Sequence, residues 1–227
     1  MGALSLRGLP RGPCYNLAME FSTWITFFAA CWAISLSPGP GAVASMSAGV
    51  RHGFWRGYAI VIGLVLGIWT QVLVVSVGLG ALMATSAWAF SMLKWLGVAY
   101  LVWLGIQQWR AAEAPLVSEQ ASGTDLSRRA LVLRGWMINA VNPKGTVFLL
   151  AVVPQFIDPA QALMSQYLTI ALTLAFTDLV VMAGYVALAS RVLGALRTPG
   201  QLRWMNRSFG GLFVAAGLFL AMFRRAA

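Results

Sequence analysis

The chain has 227 residues, 59% of them hydrophobic and 10% charged, with a mean hydropathy of +0.77. Soluble domains carry about 25% charged residues, so a water-facing surface is excluded and a lipid bilayer is the expected solvent. The net charge of +10 does not imply nucleic-acid binding, because the basic residues gather between apolar runs instead of forming a patch.

Residues 1 to 18 contain Arg7, Pro10, Arg11 and Pro13, which interrupt any apolar core that a signal peptide would need. They are expected to be a disordered or non-native extension, with Met19 as the start. Residues 19–227 then form one transmembrane domain. A spanning helix needs about 20 mostly apolar residues, and six stretches are read as spans, the sixth being the shortest. The first runs from Phe21 past Leu36 towards Val50, broken at Pro38 and Pro40. The second is Gly57 to Met83 and the third Ala87 to Trp109. The fourth is Leu131 to Phe156, broken at Asn142 and Pro143. The fifth is Leu163 to Ser190 and the sixth Phe209 to Phe223. Runs this long are helices, since barrel strands are about 10 residues and alternate.

Charge orients them. The first loop carries Arg51 and Arg56; the third Arg110, Arg128, Arg129 and Arg134; the fifth Arg191, Arg197, Arg203 and Arg207. The second and fourth loops have no Lys or Arg. Basic loops stay in the cytoplasm, which places both termini in the periplasm of a bacterial inner membrane, although Arg7, Arg11, Arg224 and Arg225 dissent weakly.

The stretch 111–127 holds Pro115, Gly123, Glu113, Glu119 and Asp125 and reads as a solvated linker. It separates repeat 1, about 21–110, from repeat 2, about 128–225. Each has three spans, so the second must lie inverted relative to the first, as in many secondary transporters. The expected fold is therefore an all-α membrane protein of six transmembrane helices in two inverted three-helix repeats, with helices 1 and 4 broken. The breaks correspond: Ser37-Pro38-Gly39-Pro40 in one half and Asn142-Pro143-Lys144-Gly145 in the other.

A break inside hydrocarbon survives only where protein or a cavity satisfies the freed backbone groups. Half-helix N-termini at the midplane attract carboxylates. Asp178 is the only carboxylate deep in an apolar run, at an insertion cost of about 2.5–3.5 kcal/mol; such residues mark substrate or proton paths. Lys144 is the second deep charge, either as counter-ion to Asp178 or as a contact for a substrate carboxylate. Gln71 and Asn139 could line the same space or join helices. The substrate-binding set is thus Ser37, Pro38, Gly39, Pro40, Gln71, Asn139, Asn142, Pro143, Lys144 and Asp178, with Asp178 also coupling protons. A cation, a carboxylate, amides and helix N-termini suit a small zwitterion. Gly63, Gly67, Gly97 and Gly105 are expected to permit close helix packing, Trp residues near span ends to anchor at the interface, and Lys94 and His52 to be structural. Cys14 and Cys31 do not make a disulfide framework, and neither a metal nor a cofactor is expected.

These motifs resemble the lysine-exporter (LysE/RhtB) superfamily, in particular its homoserine/threonine-resistance branch. The residues that carry the resemblance are Ser-Pro-Gly-Pro-Gly from Ser37, the run Leu93 to Arg110, Asn-Pro-Lys from Asn142, Pro-Gln-Phe-Ile from Pro154, and Asp178 to Tyr185. It covers Met19 to the C-terminus; the extension before Met19 departs from it. The resemblance implies export of homoserine, homoserine lactone and threonine, driven by the proton gradient, with a homodimer left open. A metal-cation exporter of the same superfamily would want clustered Cys, His or carboxylates. An intramembrane protease would need paired Asp, a Ser with a base, or His-Glu-x-x-His. A scaffold would transport nothing. One deep Asp favours none of the three.

Overall fold

A computed structural model describes residues 19–83, 87–110 and 125–192, together with eight positions between 204 and 218. Among the described residues there are seven helices and no strands: α1 (Phe21–Leu36), α2 (Pro40–Gly57), α3 (Ala59–Met83), α4 (Ala87–Trp109), α5 (Arg128–Ala140), α6 (Pro143–Phe156) and α7 (Leu163–Val192). The expected first and fourth stretches are each two helices, so seven helices correspond to five of the six predicted spans. The predicted sixth span lies mostly outside the described residues, as do residues 1–18, most of the linker, and the side chain of Lys94. The described positions between 204 and 218 are helical.

Proline sets both breaks. Pro40 is the first residue of α2 and Pro143 the first of α6, where a missing N–H costs nothing and the fixed φ suits helix entry. The prolines therefore start new helices, and do not kink old ones. The two bends are alike: 57° between α1 and α2, and 54° between α5 and α6. Each bent pair is long and apolar enough to cross a bilayer as one span, as α3 and α7 are individually.

Packing gives the directions. The backbone of Gly135 lies against Ile60, Gly63 against Val132 and Trp136, and Gly67 against Asn139, so α3 and α5 run parallel. Ser35 meets Thr177 and Gly49 meets Val186, so α7 runs parallel to α1 and α2. Tyr58 bonds Leu179 O while Trp69 bonds Ala171 O, so α3 and α7 are antiparallel. One end of the bundle consequently gathers Arg51, Arg56, Arg128, Arg129 and Arg191. There Asp125, at the edge of the predicted linker, is held by His52 Nδ1 at 2.9 Å and Arg56 Nη1 at 2.8 Å. Ser127 accepts from Ala130 N and caps α5, which begins three residues before the apolar run does. Gly53, at φ +68°, gives α2 a non-helical residue that only glycine adopts without a Cβ penalty.

Two apolar clusters fill the bundle. One, near the arginine end, joins Ala42, Met46, Ile60, Leu64, Leu131 and Met182. The other joins Phe27, Cys31, Val72, Phe148, Val152 and Ile170.

Candidate functional site

The first break frees backbone carbonyls, and side chains from distant helices take them up. Tyr185 Oη of α7 donates to Leu36 O at 2.6 Å. Lys144 Nζ of α6 donates to Ser37 O at 2.8 Å and Pro38 O at 3.4 Å. At the second break, Asn142 O already accepts from Thr146 N of α6 at 3.1 Å, and Gln71 Nε2 of α3 adds a bond to it at 2.8 Å and one to Thr146 Oγ1 at 2.9 Å. Leaving a buried acceptor unmet costs about 1–3 kcal/mol, so the contacts of Tyr185 and Lys144 are what allow irregular backbone at the first break.

Amides fix the second break further. Asn142 Oδ1 accepts from Lys144 N at 3.1 Å, capping α6, while its Nδ2 donates to Asn139 Oδ1 at 3.2 Å. Asn139 Nδ2 in turn reaches Leu64 O at 2.8 Å. Gln71 and Asn139 therefore join helices, and Lys144 is a tie between the halves of the chain, a role its position beside Pro143 did not disclose.

All of this surrounds one cavity of about 70 Å³ between the two apolar clusters. Seven of the ten predicted residues line it: Ser37, Gly39, Gln71, Asn139, Asn142, Lys144 and Asp178. Pro38, Pro40 and Pro143 do not; they shape the breaks behind it. The N-terminal turns of α2 and α6 both open onto the cavity, through Gly39 and Gly41 on one side and Lys144 and Gly145 on the other. Leu64, Phe148 and Leu174 give it apolar walls.

Lys144 and Asp178 both line this space, and opposite charges in a buried setting attract. Asp178 is only 6% exposed. Among the described residues, its Oδ2 and the hydroxyl of buried Ser37 have no hydrogen-bond partner. A buried charged acceptor without a donor is costly, so these two atoms are where a ligand's donors would be rewarded. No described group of three or more His, Cys, Asp or Glu could hold a metal ion.

Sequence reasoning missed Tyr185, Thr146 and Gly145. Tyr185 lies seven residues after Asp178 and so on the same face of α7, which was a readable signal. A Cβ on Gly145 would lie 2.6 Å from Gln71 Oε1, so the glycine leaves room for the amide; only the fold reveals that.

Comparison with known proteins places the molecule. The family model described as LysE type translocator matches residues 32–223, and the chain belongs to that family. It is 42% identical over 208 residues to the homoserine/homoserine lactone efflux protein of Salmonella typhimurium, a match covering 92% of this chain and 100% of that protein. It is 41% identical over 203 residues to an uncharacterized membrane protein of Vibrio cholerae, covering 89% and 98%. It is 28% identical over 198 residues to the leucine efflux protein of Enterobacter sp., covering 86% and 93%. No solved structure matches. The chain is a membrane transporter, not an enzyme.

Proposed function

We propose that this translocator of the LysE family exports small neutral amino acids, foremost homoserine and its lactone with threonine beside them, in exchange for protons. The similarity to a homoserine/homoserine lactone efflux protein over its whole length supports the substrate class. The observation that carries the reading is the cavity itself, where an unmet Asp178 Oδ2 and an unmet Ser37 hydroxyl face a cation and two half-helix N-termini.

The chemistry follows from what homoserine and its lactone share. Both have an α-ammonium, but only homoserine has a free carboxylate. The ammonium is therefore the common anchor, and Asp178 is its partner. The carboxylate of homoserine, or the weaker ring carbonyl of the lactone, meets Lys144 and the N–H groups at the start of α6 or α2. Ser37 serves the side-chain oxygen. When substrate leaves, a proton replaces the ammonium on Asp178, which couples export to proton entry. The apolar clusters on either side of the cavity act as the two barriers that open in turn.

The architecture belongs to the same proposal: a single transporter domain with six spans in two inverted repeats, about 21–110 and 128–225. The arginine-rich end faces the cytoplasm of an inner membrane and both termini are periplasmic. The matching bends of 57° and 54° support the repeat, and the gathered arginines support the orientation. The test is efflux from cells preloaded with labelled homoserine, homoserine lactone, threonine, leucine or lysine. Homoserine and its lactone should leave fastest, and collapsing the proton gradient should stop them. Export of leucine alone, in line with the more distant leucine efflux protein, would overturn the substrate assignment.

A further inference from the structure

The outer surface between α3 and α5 is not flat. Backbone contact at Gly63, Gly67 and Gly135 draws the two parallel helices together, and the side chains flanking that seam stand up as walls. On α3 the wall is Ile62, Leu66, Trp69 and Leu73, a stripe at helical spacing; on α5 it is Leu133 and Trp136. The groove between them has a volume of about 740 Å³. From Ala59 to Leu73 it follows fifteen residues of α3, a length of roughly 21 Å at 1.5 Å per step. That exceeds half the bilayer's hydrocarbon thickness, about 15 Å. Its interior polar group, Thr70, is already engaged by Leu66 O and Trp136 Nε1.

One end of the groove is charged. Arg128 and Arg129, in the first turn of α5, line it there, and both are exposed. Among the described residues neither is paired with a carboxylate, because Asp125, the acid next to them in sequence, is held by His52 and Arg56.

We infer that this groove is a binding site for an anionic phospholipid. The phosphate sits between Arg128 and Arg129, and one acyl chain lies along Leu66, Leu133 and Trp136. Basic pockets between transmembrane helices are suited to such headgroups. A second copy of the chain fits less well. A symmetric membrane dimer through this face would bring four arginines to one depth, with no acid among the groove's described residues to offset them. The lipid would clamp α5 onto α3 just before the Asn142 break. The inference rests on the membrane reading and is independent of the exported substrate.

The experiment is native mass spectrometry of the purified full chain in mild detergent, titrated with phosphatidylglycerol or phosphatidylethanolamine. Phosphatidylglycerol should be retained preferentially, and inorganic phosphate should not compete with it at equal concentration. Arg128→Gln or Arg129→Gln should each weaken retention roughly five-fold, from about 1 kcal/mol per surface arginine. Arg191→Gln, at the end of α7, should leave it unchanged. Leu133→Trp fills the groove without touching the charges and should also reduce retention. Equal retention of both lipids would overturn the inference, as would a phosphatidylglycerol preference that survives all three groove variants. So would a dimer that buries the groove.

Discussion

Lys144, in the first turn of α6, donates its ammonium to the carbonyl of Ser37, the C-cap of α1, across 2.8 Å. The contact joins residues 107 apart in sequence and ties the two helix breaks to each other. The charge that lines the cavity also closes its wall, so the cavity's shape and its electrostatics depend on one side chain. Anything that draws Lys144 towards a substrate carboxylate loosens Ser37, and that links binding to the geometry of the break.

Lys144→Met keeps the length of the side chain and removes its charge. The Ser37 carbonyl loses a charged donor, which should cost about 1.5–3 kcal/mol, and Asp178 loses its opposite charge. Removing one member of a buried charged pair generally costs more than removing both. The Lys144→Met, Asp178→Asn double variant should therefore unfold at a higher temperature in detergent than Lys144→Met alone. Additive destabilisation would mean that the two residues are not coupled.

The α3–α5 seam predicts a contrast between two glycines of one helix. A Cβ at Gly63 would fall on the carbonyl oxygen of Val132, whereas one at Gly78 would meet nothing within 4 Å. Gly63→Ala should lower stability by about 1–3 kcal/mol, as overpacking does. Gly78→Ala should be neutral or slightly stabilising, since alanine is the better helix former. Equal behaviour in a thermal unfolding assay would contradict the close approach at Gly63.

Much of this was legible because hydrocarbon is an uncompromising solvent. Apolar runs placed the starts of α1, α4 and α7 within a residue, and Pro40 and Pro143 marked the two breaks as they stand. Ser37, Asn142 and Asp178 were readable because a polar group at that depth needs a reason. What could not be read was which distant side chain reaches which carbonyl at the breaks. Tyr185 to Leu36, Gln71 to Asn142 and Lys144 to Ser37 are all long-range contacts, and local sequence carries no trace of them. Asp125 was assigned to a solvated linker by composition and is exposed, but composition did not show that His52 and Arg56 hold it. A loop's composition does not record what its ends touch.

Orientation can be tested on α7, whose ends lie at opposite ends of the bundle. Ala160, in the turn before α7, and Arg191, in its last turn, are both exposed. With Cys14 and Cys31 replaced, Ala160→Cys should react with a membrane-impermeant thiol reagent added to intact cells. Arg191→Cys should react only after the membrane is opened. The reverse pattern would invert the topology and place the arginine end outside.

Asp178 offers the sharpest test of transport. Its carboxylate is buried, and Oδ2 has no hydrogen-bond partner among the described residues. A group whose only task was to join helices would have that oxygen engaged. Asp178→Asn keeps the size and removes the charge, so an ammonium can no longer be balanced and no proton can be carried. The amide still fits and is cheaper to bury, so the variant should still insert, although leaving Lys144 without its opposite charge should lower its unfolding temperature in detergent. Efflux should fall at least a hundred-fold, consistent with losing a buried charge pair with the substrate of about 3 kcal/mol or more. Homoserine and its lactone should be lost together, since both present the ammonium. Lys144→Met should instead harm homoserine more than the lactone, which has no free carboxylate to lose a partner. The measurement is labelled efflux of each compound, normalised to protein in the membrane. Wild-type efflux from the Asn variant would remove Asp178 from the mechanism. Loss of homoserine export with lactone export retained would reassign Asp178 to a contact that only the open-chain compound makes.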